Sequence, residues 1–153
     1  MRFAVDSMLG TLAKWMRILG YDAAYFKGLD DDAKLISAEA EGRIIISRDR
    51  SLCSRSRGSL HLTSMSLDEQ ICAVIAAFPP EESLILTRCI LCDQALVPAG
   101  PDESRGSVPD AVLDRHDEFW ACPGCGRHYW RGTHWAAMEK RARDIIACRS
   151  NPR

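Results

Sequence analysis

Three stations of aspartate and two pairs of cysteine are the residues of this 153-residue chain whose types and spacing can do chemistry. The cysteines form two C-x-x-C knuckles, Cys89-Ile-Leu-Cys92 and Cys122-Pro-Gly-Cys125, with 29 residues between them. Four thiolates so spaced make a tetrahedral zinc site, and a site filled by four sulfurs leaves no open position for water, so the zinc would be structural. A disulfide framework or redox chemistry would use the same residues. A reducing compartment argues against the first, and the presence of two pairs argues against the second. Cys53, Cys72 and Cys148 have no partner at metal spacing and read as core or incidental thiols.

The aspartates are Asp6, the run Asp30 to Asp32, and Asp49, which lies between Arg48 and Arg50 in "GRIIISRDR". Each stands where a helix would begin, and Asp is a favoured N-cap. Capping needs one short acceptor per helix, however. It explains neither the tripled Asp nor the two arginines around Asp49. If the three stations meet at one rim, their like charges are costly unless a cation joins them. Mg²⁺ or Mn²⁺ takes carboxylates together with water and phosphate oxygens, and can activate a water against a phosphodiester.

A third constellation follows the second knuckle. In "GRHYWRGTHW", Arg127, Tyr129, Trp130 and Arg131 interleave cations with aromatics, a surface able to stack bases and hold phosphates. Packing is the competing use of Tyr129, Trp130 and Trp135, because a ribbon has little core of its own.

The elements that must position these groups read as alternating strand and helix. RFAV (2–5), DAAYF (22–26), RIIIS (43–47) and SLHLT (59–63) are β-like runs, and SLILT (83–87) would be a last strand or the entry to something new. Between the first two, Leu9, Leu12, Met16 and Leu19 form a helical stripe that Gly20 should stop. Asp30 to Gly42 is a second helix with acids at its start and a glycine at its end. Ser66 and Glu69 have capping-box spacing before a helix that Pro79-Pro80 ends. Such alternation predicts right-handed βαβ units and an open parallel sheet, whose strand carboxyl ends line the ligand crevice. Asp6, Asp30 to Asp32 and Asp49 all follow strands and would share that edge. The end of the chain, from Trp135 through Met138, Ala142 and Ile145, reads as a basic amphipathic helix.

Composition bounds the rest. Hydrophobic content of 46% and charged content of 27% describe an ordinary globular chain. No apolar run reaches a membrane span, and MRFAVDSMLG lacks the unbroken apolar core of a signal peptide, so a cytoplasmic protein is expected. The net charge of −1 conceals an asymmetry: from Arg127 to Arg153 there are seven Lys/Arg against two acids. A cationic grip beside an acidic centre and a solvated helix face both fit that split. No P-loop or GxGxxG motif supports nucleotide-cofactor chemistry.

The segments "FAVDSMLGTLAKWMRILGYD" and "DDDAKLISAEAEGRIIISRDRSL", followed by "RCILC" and "CPGCGRHYWRGTHWAAM", resemble the PIN-like nucleases, and specifically the Mut-seven C-terminal RNase domain family. The resemblance covers about residues 2 to 138. It implies an α/β fold with a PIN-like open parallel sheet flanked by helices over residues 1–87, then a small four-cysteine zinc ribbon and a C-terminal helix over 88–153. By the same resemblance Asp6, Asp31 or Asp32, and Asp49 hold the Mg²⁺ or Mn²⁺ and are the catalytic acids, and a further acid is expected. Asp68 and Glu69 are its candidates. The expected function is a metal-dependent ribonuclease acting on single-stranded or structured RNA, gripped by Arg48, Arg50, Arg127, Tyr129, Trp130 and Arg131. The alternative is a non-catalytic RNA-binding or partner-binding adaptor built on a degenerate PIN-like domain.

Overall fold

The computed structural model describes residues 1–149, with the side chains of Cys148 and Arg149 left out; the reading of Cys148 as an incidental thiol therefore falls on an undescribed side chain, and Arg153 at the end of the basic tail lies outside the described residues. Strand β1 (Arg2–Asp6) passes through a 3₁₀ turn, Ser7–Leu9, into α1 (Gly10–Ile18). Then come β2 (Asp22–Phe26), α2 (Asp31–Ala40), β3 (Ile44–Ser47), α3 (Arg50–Arg55), β4 (Ser59–His61) and α4 (Leu67–Ala77). The four strands form one parallel sheet in the order β2-β1-β3-β4.

That order follows from alternation and handedness. Phe3, Val5 and Ile46 face one side of the sheet and join α1 and α4 in the larger core, while Ala4 and Ile45 face the other and meet Ala38 of α2 and Leu52 of α3. The chain runs outward from β1 to β2, then returns past β1 to β3. With right-handed crossovers the reversal puts α1 on one face and α2 on the other. The strand order therefore reverses between β1 and β3, the point at which open parallel sheets hold their ligands.

Both glycine stops form as expected. Gly20 has φ +90° and Gly42 φ +63°. In each case the glycine N–H donates to the carbonyl three residues back, Arg17 or Glu39, and the next residue's N–H to the one five back, Met16 or Ala38. This is the left-handed end that a residue without Cβ favours. A side chain on Gly20 would also run into the Leu84 backbone, with a Cβ only 2.5 Å from its carbonyl oxygen.

One of the two readings of residues 83–87 falls: they form no strand and are instead the entry to something new, with Glu82–Leu84 a 3₁₀ turn and Leu86 at φ +60° with its N–H donating to the Ile18 carbonyl of α1. The segment finds its partner at a helix end, and so cannot extend the sheet. The capping box at α4 is also absent, since the Ser66 side chain makes no capping bond.

The second half is a three-stranded antiparallel ribbon, β5 (Val97–Ala99), β6 (Phe119–Ala121) and β7 (His128–Trp130). Two one-turn helices, α5 (Pro101–Ser104) and α6 (Asp110–Leu113), lie within its long connection, and α7 (Thr133–Arg149) follows it. Helix α7 returns to the first half. Ala142 is fully buried in the larger core, and Trp135, Met138 and Ile145, the rest of the apolar face read from the sequence, pack against it together with Ile146. No described helix is long and apolar enough to cross a membrane.

Candidate active site and metal centre

At the ends of β1 and β3, where an open parallel sheet has its crevice, Asp6, Ser47, Asp49 and Lys34 are joined by hydrogen bonds and an ion pair. Asp6 ends β1 and is buried, at 2% exposure. Its Oδ1 accepts from the Ser7 N–H at 2.7 Å and lies 2.7 Å from the Lys34 ammonium, and its Oδ2 accepts from the Ser47 hydroxyl at 2.5 Å. The same Ser47 Oγ accepts from the Asp49 N–H at 2.9 Å. One hydroxyl thus ties the ends of two neighbouring strands and fixes the two acids relative to each other.

Capping proves real at three places. Asp6 caps the 3₁₀ turn, Asp30 caps α2 through Ala33 N–H at 2.8 Å, and Asp49 Oδ1 caps α3 through Ser51 and Leu52 N–H at 2.7 and 3.0 Å. Capping occupies a single oxygen of Asp49. Its Oδ2 carries no bond among the described residues.

Asp31 and Asp32 part ways. Asp31 Oδ1 lies 3.3 Å from Lys34 Nζ, so one ammonium serves both Asp6 and Asp31. Asp32 pairs instead with Arg55 of α3. Neither candidate for a further acid bonds to this group among the described residues: Asp68 pairs with Arg141 of α7 at 2.9 Å, and Glu69 is exposed on α4. Among the arginines, Arg50 is exposed at the first turn of α3. Arg48 is partly buried, and its Nε is a buried nitrogen without a hydrogen-bond partner.

Burial would raise the Asp6 carboxyl, but the bonds from Lys34, Ser47 and the Ser7 N–H outweigh it and hold the group below its ordinary value. Burial likewise would lower the Lys34 ammonium, and the bonds to Asp6 and Asp31 raise it instead. The signs fix a pH window. A depressed carboxyl contributes stability that is present above its unfolded value of 3.8 and lost as the pH falls through the folded one. A raised ammonium contributes stability that is present below 10.5 and lost as the pH climbs through its folded value. Thermal unfolding should therefore show this pair's contribution as a plateau that falls off at both ends, and Lys34→Met should remove the alkaline arm. An unchanged alkaline limb in that variant would contradict the pairing.

The four cysteines gather as their spacing implied. Their sulfurs all lie within 4.8 Å of one another, and among the described residues this is the one group of His, Cys, Asp or Glu at metal-holding spacing. Cys89 and Cys125 sulfurs are 3.7 Å apart and Cys92 and Cys122 sulfurs 3.1 Å, against about 3.8 Å for tetrahedral ligands on Zn–S bonds of about 2.3 Å. Burial would raise the Cys89 thiol, yet the Tyr129 hydroxyl at 3.1 Å and the Leu91 and Cys92 N–H groups bring it down to about 6. Cys92 is pushed up to about 12 by burial and by the neighbouring sulfur of Cys122. Of these thiols Cys89 gives up its proton most readily, and a divalent metal would have to displace the protons held on Cys92 and Cys125. The other two thiols within the described side chains, buried Cys53 and exposed Cys72, stand outside this group.

The ribbon is fastened to the first half by Arg17. Its Nε donates to the Ala23 carbonyl at 2.9 Å, and its Nη1 donates to the Ile90 and Leu91 carbonyls inside the first knuckle at 2.9 and 2.8 Å. The basic aromatic stretch divides its labour. Trp135 stacks on Trp120 with centroids 5.3 Å apart and packs toward the core, and Arg131 covers the Trp120 ring at 5.5 Å. Arg127, Tyr129 and Trp130 line an open groove of about 390 Å³ with His134 and Met138.

Sequence reasoning missed Lys34, Ser47 and Trp120. Lys34 had a signal, because it lies three residues after Asp31 on the same helical face. Ser47 had only its place at a strand end, and Trp120 none beyond its type.

A parallel α/β domain with acids gathered at its strand ends, carrying a four-cysteine ribbon, is the class that this fold and these sites define. The model of the Mut7-C RNAse domain matches residues 1–142, and the chain belongs to that family. The family name points to a nuclease-type function. No curated protein and no solved structure matches the chain.

Proposed function

We propose that this protein is a metal-dependent ribonuclease whose catalytic crevice is formed by Asp6, Asp31 and Asp49, with a structural zinc at Cys89, Cys92, Cys122 and Cys125 and an RNA grip on the ribbon. The observation that carries the reading is the Ser47 bridge at the switch point: a buried carboxylate, kept ionised, is tied to a second acid whose outer oxygen has no partner among the described residues. Carboxylate oxygens are the donors that Mg²⁺ and Mn²⁺ take, and such an ion when bound supplies an activated water and neutralises charge on a phosphodiester. The chain's own part is positional. Ser47 sets the spacing of Asp6 and Asp49, Lys34 keeps Asp6 charged, and Arg48 and Arg50 flank the acids where a phosphate backbone would pass. Of the two acids offered by the resemblance, Asp31 shares Lys34 with Asp6 and is preferred, while Asp32 is engaged by Arg55. Arg127, Tyr129, Trp130 and Arg131 would grip the strand.

One observation favours the adaptor reading. Asp6 and Asp31 already share the Lys34 ammonium, a cation in the place where a metal would be needed. Labelled single-stranded RNA distinguishes the two readings. Zinc-loaded protein stripped of other divalent ions is expected to cut it only after Mn²⁺ or Mg²⁺ is added. RNA that is bound but never cut, whatever divalent ion is supplied, would give the adaptor reading the lead.

A further inference from the structure

A second cavity, of about 580 Å³, opens between the start of α1, Tyr25 of β2, Arg48 and Leu67 at the start of α4. Arg48 is the residue between Ser47 and Asp49, so the cleft adjoins the acids along the chain. Its lining is unlike theirs. No acidic side chain takes part, whereas Lys14, Arg17 and Arg48 do. Arg17 is spent on three backbone carbonyls. Lys14 is exposed with no ion pair among the described residues, and the buried Arg48 Nε has no acceptor. Cations left without counter-charge around a nucleotide-sized hollow favour an anion.

The rest of the wall suits an apolar, planar group. Met8 and Met65 line it although 50% and 78% exposed, and flexible thioethers adapt to a flat ring better than branched chains do. Tyr25 is held in place by its hydroxyl, which donates to the Ser7 carbonyl at 2.6 Å. Leu91, from the first cysteine knuckle, lines both this cleft and the ribbon groove and so stands between the two.

We propose that this cleft is a subsite for one nucleotide of the RNA strand, with Lys14 and Arg48 taking its phosphate and Tyr25, Met8 and Met65 its base. The assignment rests on the crevice at Asp6 and Asp49 being the cutting site. It extends that site to the unpaired nucleotide next to the cut, and Leu91 passes the strand on to the ribbon.

A nucleoside 5′-monophosphate has no phosphodiester, so calorimetric titration with it tests the subsite apart from cleavage. The native protein is expected to bind it, inorganic phosphate more weakly, and Lys14→Gln with Arg48→Met to weaken binding roughly tenfold or more, as lost charged hydrogen bonds do. In cleavage assays the same pair should raise KM more than it lowers kcat. Lys14→Gln alone, a change on an exposed side chain, should show part of the effect without any threat to folding. Binding that is unchanged in both variants overturns the subsite, as does phosphate binding as tight as the nucleotide's. Nucleotide binding that depends on Lys14 and Arg48 in a protein that cuts no RNA upholds the nucleotide cleft but refutes the hydrolytic reading, and with it the place of the cleft beside a cut.

Discussion

Cys92→Ser, or stripping of the metal by a chelator, is expected to unfold residues 88–131 while the parallel sheet and α7 stay folded. The ribbon's three strands are three residues each, and Phe119 is the one large side chain fully buried among them. Without a sizeable core its fold is expected to draw on a metal at the four cysteines, whose binding to such sites is worth about 10–16 kcal/mol at neutral pH. Helix α7 is the informative control. Although it follows the ribbon in sequence, Ala142, Ile145 and Ile146 pack with the core of α1 and α4, so its amides should keep their protection against hydrogen exchange. The Arg17 bonds to Ile90 and Leu91 would be lost with the knuckle, loosening the C-terminal turn of α1. Native protein purified without zinc, or ribbon amides equally protected in Cys92→Ser, would contradict a structural metal.

The parts of this architecture that were legible in the sequence are those set by local rules. Gly20 and Gly42 stop helices because the chain must turn left-handed there, and the unbroken apolar runs in RFAV and RIIIS mark strands buried on both faces. The two C-x-x-C pairs needed only their spacing. Residues 83–87 could be read as a last strand or as an entry to something new because their composition suits a strand, and what decides between the two, the pairing of Leu86 with the end of α1, is announced by no local pattern. Lys34 was hidden for a similar reason. A lysine in an acidic helix looks solvent-facing until the crossover of α2 brings it over the end of β1, where Asp6 is buried and in need of a charge. Arg17 likewise looks like one more surface cation, and only the docking of the knuckle shows what it holds.

The largest effect on activity should come from Asp49. Asp6 is a poorer probe, because it is buried against Lys34, and removing one member of a buried pair costs about 3–5 kcal/mol in its own right. Asp49 separates its two roles by oxygen. Oδ1 caps α3, and Asn caps nearly as well, so Asp49→Asn should stay within about 1 kcal/mol of native stability. What the change removes is the negative charge on the outer oxygen, which faces no partner among the described residues.

The decisive measurement is the single-turnover rate of Mn²⁺-dependent RNA cleavage by folded, zinc-loaded Asp49→Asn beside the native protein. A metal centre at the crevice predicts a fall of about 100-fold or more, on the order of losing one contact made in the transition state, with RNA affinity little changed. Cleavage at the native rate by the folded variant would mean that the acids at the ends of β1 and β3 are caps, and that RNA is not cut there.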